Sequence, residues 1–224
     1  MTYFHMLAAL ALVGLVMLSG CSEARSASAI QFDNAYYYGP DGKFLPEKAK
    51  DAYVALMKYH GYPVYPGIRE KMWVSDYGTG QFSKLGLGAV MWANNEKDRY
   101  MLQDFYLMPG QMLPEHWHLE GANGNPAKLE GWLIRHGSSH VVGEGDDNLP
   151  KDIVIPKCHC NGTATVRHEV YAQPGTFVQL NRVGAHHWQF GGPEGAIVTE
   201  VANVHTGPAV RHQDPALNKN FLGL

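Results

Sequence analysis

The stretch Gly110-Gln-Met-Leu-Pro-Glu-His116-Trp-His118 decides how this chain is read, together with Lys128-Leu-Glu130 and, much later, His187-Trp188. His116 and His118 alternate at strand spacing, so both imidazoles leave the same face of a β-strand. A carboxylate from a neighbouring strand and a third imidazole would complete a facial set of three nitrogens and one oxygen. Such a set suits a divalent metal with coordination positions left open for a substrate. The pattern predicts a metal-dependent site inside a small β-barrel.

Outward from that stretch, most of the chain breaks into strand-length runs. Glu70–Val74, Leu85–Trp92, Tyr100–Leu107, Gln111–Trp117, Glu130–Gly137, Ser139–Gly143, Val166–Tyr171, Thr176–Leu180 and Ala196–Val204 are the candidate strands. Their breaks carry Gly, Pro, Asn or Asp, as in Asp76-Tyr-Gly-Thr-Gly80 and Gly191-Gly-Pro193. Many short strands without intervening helices indicate a closed antiparallel barrel or jelly roll. One helix precedes them, over Leu45–His60. Pro46 suits its first turn, Ala49, Ala52, Tyr53, Leu56 and Met57 form an apolar stripe, and Gly61 is placed to stop it. The expected fold class is therefore all-β, with a short helical preface. Gly145–Asn161 is polar and irregular, an excursion over a sheet edge or at an oligomer contact.

Composition narrows the function. A net charge of -3 gives no basic footprint, which argues against a nucleic-acid partner. Of twelve histidines, all but His5 and His60 fall between positions 116 and 212, concentrating metal or acid–base chemistry in that half. His136, His140, His159, His168, His205 and His212 are read as surface residues or neighbours of the ligands. Cys158 and Cys160 flank His159 with no second Cys pair to complete a four-ligand zinc site, and are read as two thiols or a redox-labile pair in a surface excursion.

The first 20 residues carry no charged side chain, and Met6–Leu18 is an apolar run too short for a comfortable membrane span. Leu18-Ser19-Gly20-Cys21 resembles a bacterial lipobox. That resemblance implies a signal peptide over 1–20, a lipidated Cys21 with a linker over 21–44, and a folded domain over 45–224. Ser22 after the cysteine implies an outer-membrane anchor facing the periplasm.

Gly110-x5-His116-x-His118 resembles the first motif of the cupin superfamily. A cupin-type β-barrel is then the implied fold, and dimerisation through strands is common among such proteins. The Glu that usually follows within a few residues is displaced here; Glu130 is the first choice and Glu120 the second. For the third histidine, generic motif spacing falls on His186, whereas the local match around His187-Trp-Gln-Phe-Gly-Gly-Pro-Glu-Gly-Ala196 selects His187. Adjacent strand residues face opposite sides, so only one can enter the barrel, and His187 is preferred.

Taken in order, Val74-Ser-Asp76-Tyr-Gly78, Gly86-Leu-Gly88, Pro109-Gly-Gln111, Pro114-x-His116-x-His118, Lys128-x-Glu130 and Asp214-Pro215 resemble the D-lyxose isomerase family of cupins, over roughly Leu45 to Leu217. The resemblance implies a metal, manganese first with zinc or iron as alternatives, held by His116, His118, Glu130 and His187. It also implies aldose–ketose isomerisation of a pentose or hexose through an enediol, with Glu200 as base and Lys128 as oxygen-stabilising acid. Trp117, Trp132 and Trp188 would wall the sugar site. The competing readings are a cupin dioxygenase, since the same donors hold iron, and a noncatalytic metal- or sugar-binding lipoprotein.

Overall fold

The computed structural model describes residues 30–222; the proposed signal peptide and Cys21 lie outside the described residues. Helix α1 spans Pro46–His60 and buries the five stripe residues Ala49, Ala52, Tyr53, Leu56 and Met57. Pro46 sits in its first turn, and Gly61 ends it in a left-handed conformation (φ 66°), its N–H donating to the carbonyls of Met57 and Lys58.

Nine strands form one curled antiparallel sheet: β1 (Trp73–Ser75), β2 (Leu87–Asn95), β3 (Tyr100–Leu107), β4 (Met112–His118), β5 (Glu130–Gly143), β6 (His168–Ala172), β7 (Phe177–Gln179), β8 (His187–Ala202) and β9 (Val210–His212). The spatial order runs β1-β2-β3-β8-β4-β9, and β5 pairs with β6, β7 and β8. The short helices α2 (Ile68–Lys71) and α3 (Pro215–Leu222) flank the sheet.

Strand β8 organises the barrel. Its first half pairs with β4 and its second half with β3, while β5 runs along both. The halves are separated by a corner. Gly137 lies opposite Ala196 and Ser139 opposite Gly191, so Gly192–Gly195 faces no β5 partner. Gly137 has φ 67°, and a Cβ there would lie 2.1 Å from the Gly195 carbonyl oxygen, so the two strands can cross this closely only without a side chain. Helix α1 pins the same corner: Tyr59 donates to Glu194 Oε1 at 2.7 Å, and His60 Nε2 meets the Glu194 carbonyl at 2.8 Å. Bending here brings the distant ends of β5 and β8 back towards one interior point.

Strand alternation divides the core into two main layers. Ile197 and Tyr106 face α1, packing with Tyr53, Leu56 and Met57, whereas Val198 and Phe105 face the barrel interior with Leu87, Trp132 and Ile134. Gly88 permits the helix to approach, because a Cβ there would meet the Tyr53 ring at 2.3 Å. Residues ahead of α1 join the outer layer: Ile30 and Tyr37 are buried within it, with Phe32, Tyr36, Tyr38 and Phe44 packed alongside.

Several elements differ from the sequence reading. The run Glu70–Val74 is not one strand: Ile68–Lys71 is helical and β1 starts at Trp73. Glu130–Gly137 and Ser139–Gly143 are one continuous β5 with register shifts. The final long strand begins at His187 rather than Ala196. β9 and α3 carry too few residues to show a period, and the reading missed both. The excursion after Gly145 packs Leu149 and Ile155 against Met112, Val142 and Trp188 as a third apolar cluster over one end of the sheet.

Candidate metal centre

The corner geometry gathers His116 and His118 from β4, Glu130 from the start of β5 and His187 from the start of β8. All four are buried, with one donor atom from each lying within 4.8 Å of the others. His116 and His187 are direct cross-strand partners. Glu130 Oε1 lies 3.0 Å from both His118 Nε2 and His187 Nε2.

The tautomers follow from the outer ring contacts. His116 Nδ1 meets the Pro114 carbonyl at 2.8 Å, and His187 Nδ1 meets the Ala185 carbonyl at 2.9 Å. A carbonyl oxygen can only accept, so both Nδ1 atoms carry the hydrogen and both Nε2 lone pairs are free to coordinate. Burial, reinforced by the neighbouring His187 and His118, holds His116 well below its ordinary value. Burial likewise lowers His118 to about 4, against the pull of Glu130. Neutral imidazoles are the form that binds metal.

The inner atoms test the fit to an ion directly. His118 Nε2, His187 Nε2 and Glu130 Oε1 are buried, yet none makes a hydrogen bond of acceptable geometry. Buried polar atoms seldom remain so. Two donors at right angles around an ion about 2.1 Å away lie about 3.0 Å apart, the separation that these atoms show. The set could hold a divalent metal.

Two further groups complete the charge distribution. Lys128 Nζ bridges Glu130 Oε2, at 2.6 Å, and Glu200 Oε1, and all three residues are buried. Gln103 Nε2 donates to Glu200 Oε2 at 2.9 Å. Burial alone would raise Glu130, but Lys128 and the imidazoles of His118 and His187 outweigh it and hold the carboxyl well below its usual range. Burial also opposes the charge on Lys128, but Glu130 and Glu200 together raise its pKa. One ammonium cannot neutralise two buried carboxylates. Glu200 carries the deficit: burial raises it, Lys128 only partly offsets that, and Glu130 adds to it, leaving the carboxyl at about 7.

A cavity opens beside Lys128 and Glu200, walled by Trp73, Tyr77, Leu87, Phe105, Leu113 and Val210. The proposed tryptophan wall is a different set. Trp188 belongs to the third cluster and donates to the Val166 carbonyl, and Trp117 stacks on His186 outside the cavity, with ring centroids 4.1 Å apart. Trp132 touches His187 from the core, its ring centroid 5.1 Å away. His186, the rejected third histidine, pairs with Glu115 at 3.0 Å, and Glu120 is exposed beyond the end of β4.

Three cavity residues went unassigned as site residues in the sequence: Gln103, His205 and His212. Gln103 shares inward parity with Met101 and Phe105, and a polar residue between two apolar inward ones was a usable signal. His205 and His212, read as surface residues or neighbours of the ligands, line the cavity itself. Burial lowers them to about 3 and about 4.

Comparison with known proteins identifies the family of the chain. The chain is 31% identical over 172 residues to the D-lyxose ketol-isomerase of Cohnella laeviribosi, covering 77% of this chain and 92% of that protein. This chain belongs to the D-lyxose isomerase family. The D-lyxose/D-mannose isomerase of Thermosediminibacter oceani is also 31% identical, over 78% of this chain and 93% of its own length. Among solved structures, Cellulomonas parahominis L-ribose isomerase with L-psicose shares the fold, with TM-score 0.55 and 14% identity over 84% of this chain and 97% of that one. No protein-family model matches the chain.

Proposed function

We propose that the protein is a metal-dependent aldose–ketose isomerase acting on D-lyxose and, by the same chemistry, on D-mannose, through an enediol intermediate. The observation that carries this reading is the Lys128 bridge between Glu130 and Glu200 beside the His116–His118–Glu130–His187 set. Isomerisation moves a proton between C1 and C2 and stabilises negative charge on the adjacent oxygens. A buried carboxyl near neutrality and a fixed ammonium meet those two needs.

A divalent ion held by His116, His118, Glu130 and His187 would supply Lewis-acid stabilisation of the negative charge that develops on the sugar. Glu200 takes the proton from the carbon beside the carbonyl and returns it to the neighbouring carbon. Burial, which Lys128 only partly offsets, raises this carboxyl above the ordinary carboxylate range and so suits it to both transfers. Lys128 holds its ammonium between the two carboxylates and presents positive charge to the developing oxyanion. Gln103 orients Glu200 through its second oxygen. The apolar wall of Trp73, Tyr77 and Phe105 excludes water from the proton being transferred.

We take the metal as manganese, with zinc and iron as alternatives, because the family resemblance favours manganese and a carboxylate–imidazole set suits all three. Lipidation at Cys21 and an outer-membrane location facing the periplasm rest on Leu18-Ser19-Gly20-Cys21-Ser22. A homodimer would cover the outer sheet face on which Leu102, Val201 and Phe177 are exposed and adjacent.

The test is metal analysis of the purified protein, followed by D-lyxose and D-mannose turnover in deuterated water. Ketose formation with deuterium at C1 or C2, abolished by chelation and restored by metal, is the expected result. Oxygen-dependent turnover without an isomerised sugar would move the protein to the dioxygenase class. Sugar binding without turnover would make it a binding protein.

A further inference from the structure

A second cluster of metal-ligating side chains stands apart from the first. His159 is fully buried, and neither ring nitrogen has a hydrogen-bond partner among the described residues. Its imidazole, the Cys160 thiol and the Asp214 carboxylate each offer a donor within 4.8 Å of the other two. A buried imidazole left without any partner is costly, and a cation at this point would use its lone pair.

The frame around the cluster is fixed. The Cys160 N–H donates to Asp214 Oδ2 at 2.7 Å, and the Ala216 N–H donates to Asp214 Oδ1 at 2.9 Å. These bonds hold the head of α3 against the turn that carries His159. Within the turn, His159 N–H donates to the Pro156 carbonyl at 2.9 Å, and Thr163 Oγ1 donates to the Cys160 carbonyl at 2.8 Å. Each carboxylate oxygen still has a lone pair for an ion. Because this segment is a turn rather than a strand, the two thiols diverge, and Cys158 packs against the interior apolar cluster instead.

We propose that His159, Cys160 and Asp214 form a second metal site, for a divalent cation of the zinc class, with one coordination position left to water. Thiolate with imidazole and carboxylate selects a softer ion than the three-histidine, one-glutamate set, which holds no sulfur. Cys160 binds as thiolate and its proton leaves to solvent. With the Asp214 carboxylate, it balances the charge of a divalent cation. His212 stands between the two clusters, its ring centroid 6.0 Å from that of His116, so they are neighbours with separate ligands.

Cobalt(II) is the probe, because thiolate ligation gives a near-ultraviolet charge-transfer band that nitrogen and oxygen donors do not. The sequence holds three cysteines, so the full chain carrying Cys21→Ser and Cys158→Ser keeps Cys160 as its sole thiol. Titration should give that band, saturating at one cobalt per chain, and adding His159→Gln or Cys160→Ser should abolish it. His118→Gln, which damages the first cluster, should leave it intact. No band in the double variant, or a band that survives His159→Gln, would overturn the assignment, as would its loss with His118→Gln. Should the double variant fail to fold, the unaltered protein decides the matter. Zinc should slow alkylation of Cys160 at least tenfold by peptide mass spectrometry, and an unchanged rate removes the site.

Discussion

The two faces of the central strands use the same backbone for opposite purposes. Towards α1, Tyr106 and Ile197 meet Tyr53, Leu56 and Met57 in a buried, largely apolar layer. One residue along, towards the interior, the strands carry His116, Gln103, Glu200 and Glu130, all buried and charged or polar. Burying ionisable groups opposes folding unless they are paired. Here the Lys128 bridge to Glu130 and Glu200 offsets part of that cost, on a face that also carries its own apolar cluster around Phe105, Trp132 and Val198. The outer residues Tyr106 and Ile197 pack the helix layer, whereas the inner face combines packing with the proposed chemistry, and substitutions should separate the two.

The largest separation is expected at Glu200. Glu200→Gln keeps the shape and the Gln103 contact but removes the proposed base. Turnover should fall by ~10²–10⁴-fold while metal content stays unchanged, as measured by isomerisation kinetics and elemental analysis. If turnover holds, the base is another group and the interior face has been misassigned. The outer counterpart is Leu56→Ala. Removing a fully buried side chain from the helix layer should cost about 2–5 kcal/mol of unfolding free energy in denaturant titration. Turnover per folded molecule should not change.

A smaller effect comes from the pH dependence of the Glu200 carboxyl. Its pKa in the folded protein, about 7, lies above its unfolded value, so folding takes up a proton between the two. The stability it contributes is fully present below the unfolded pKa and is lost as pH rises through about 7. Glu200→Gln, which cannot ionise, should therefore gain stability relative to the metal-free wild type as pH climbs through that window, by on the order of 1–3 kcal/mol. A divalent ion adds positive charge nearby and should shrink this gain. A pH-independent difference would place Glu200 outside the buried charge network.

The two faces also differed in how far the sequence disclosed them. The α1 stripe and the bounds of β3 could be read because periodicity is a local signal repeated over many residues. Likewise, the spacing His116-x-His118 put both imidazoles on one side of a strand, whereas Lys128, which lies just ahead of β5, came only from the family resemblance. The choice of His187 over His186 needed motif matching, since alternation says only that they oppose each other. His205 and His212 escaped because neither lies in a long periodic run. β9 has three residues and gains its place from pairing His212 with His116. Their burial is a property of closure across the barrel, which local pattern does not encode. The corner at Gly192–Gly195 was visible as a turn signal, but not as the bend that returns the ends of β5 and β8 to one centre.

The smallest expected effect tests whether the faces are mechanically independent. Tyr53 on α1 donates to Gln111 Oε1 at 2.7 Å, and Gln111 stands one residue before β4, the strand bearing His116 and His118. Gln111 Oε1 also accepts the Met108 N–H at 3.0 Å, and its Nε2 donates to the Phe82 carbonyl. Tyr53→Phe therefore leaves no orphaned acceptor and keeps the ring against Gly88. The loss should be that of one neutral hydrogen bond, about 0.5–1.5 kcal/mol by denaturant titration. Because Gln111 keeps its other two bonds, the start of β4 should hold its position, and kcat/KM should stay within about twofold. A tenfold fall in kcat/KM at this modest stability cost would break the separation. It would mean that the helix layer sets the placement of the β4 histidines through Gln111, and that the two faces act as one mechanical unit.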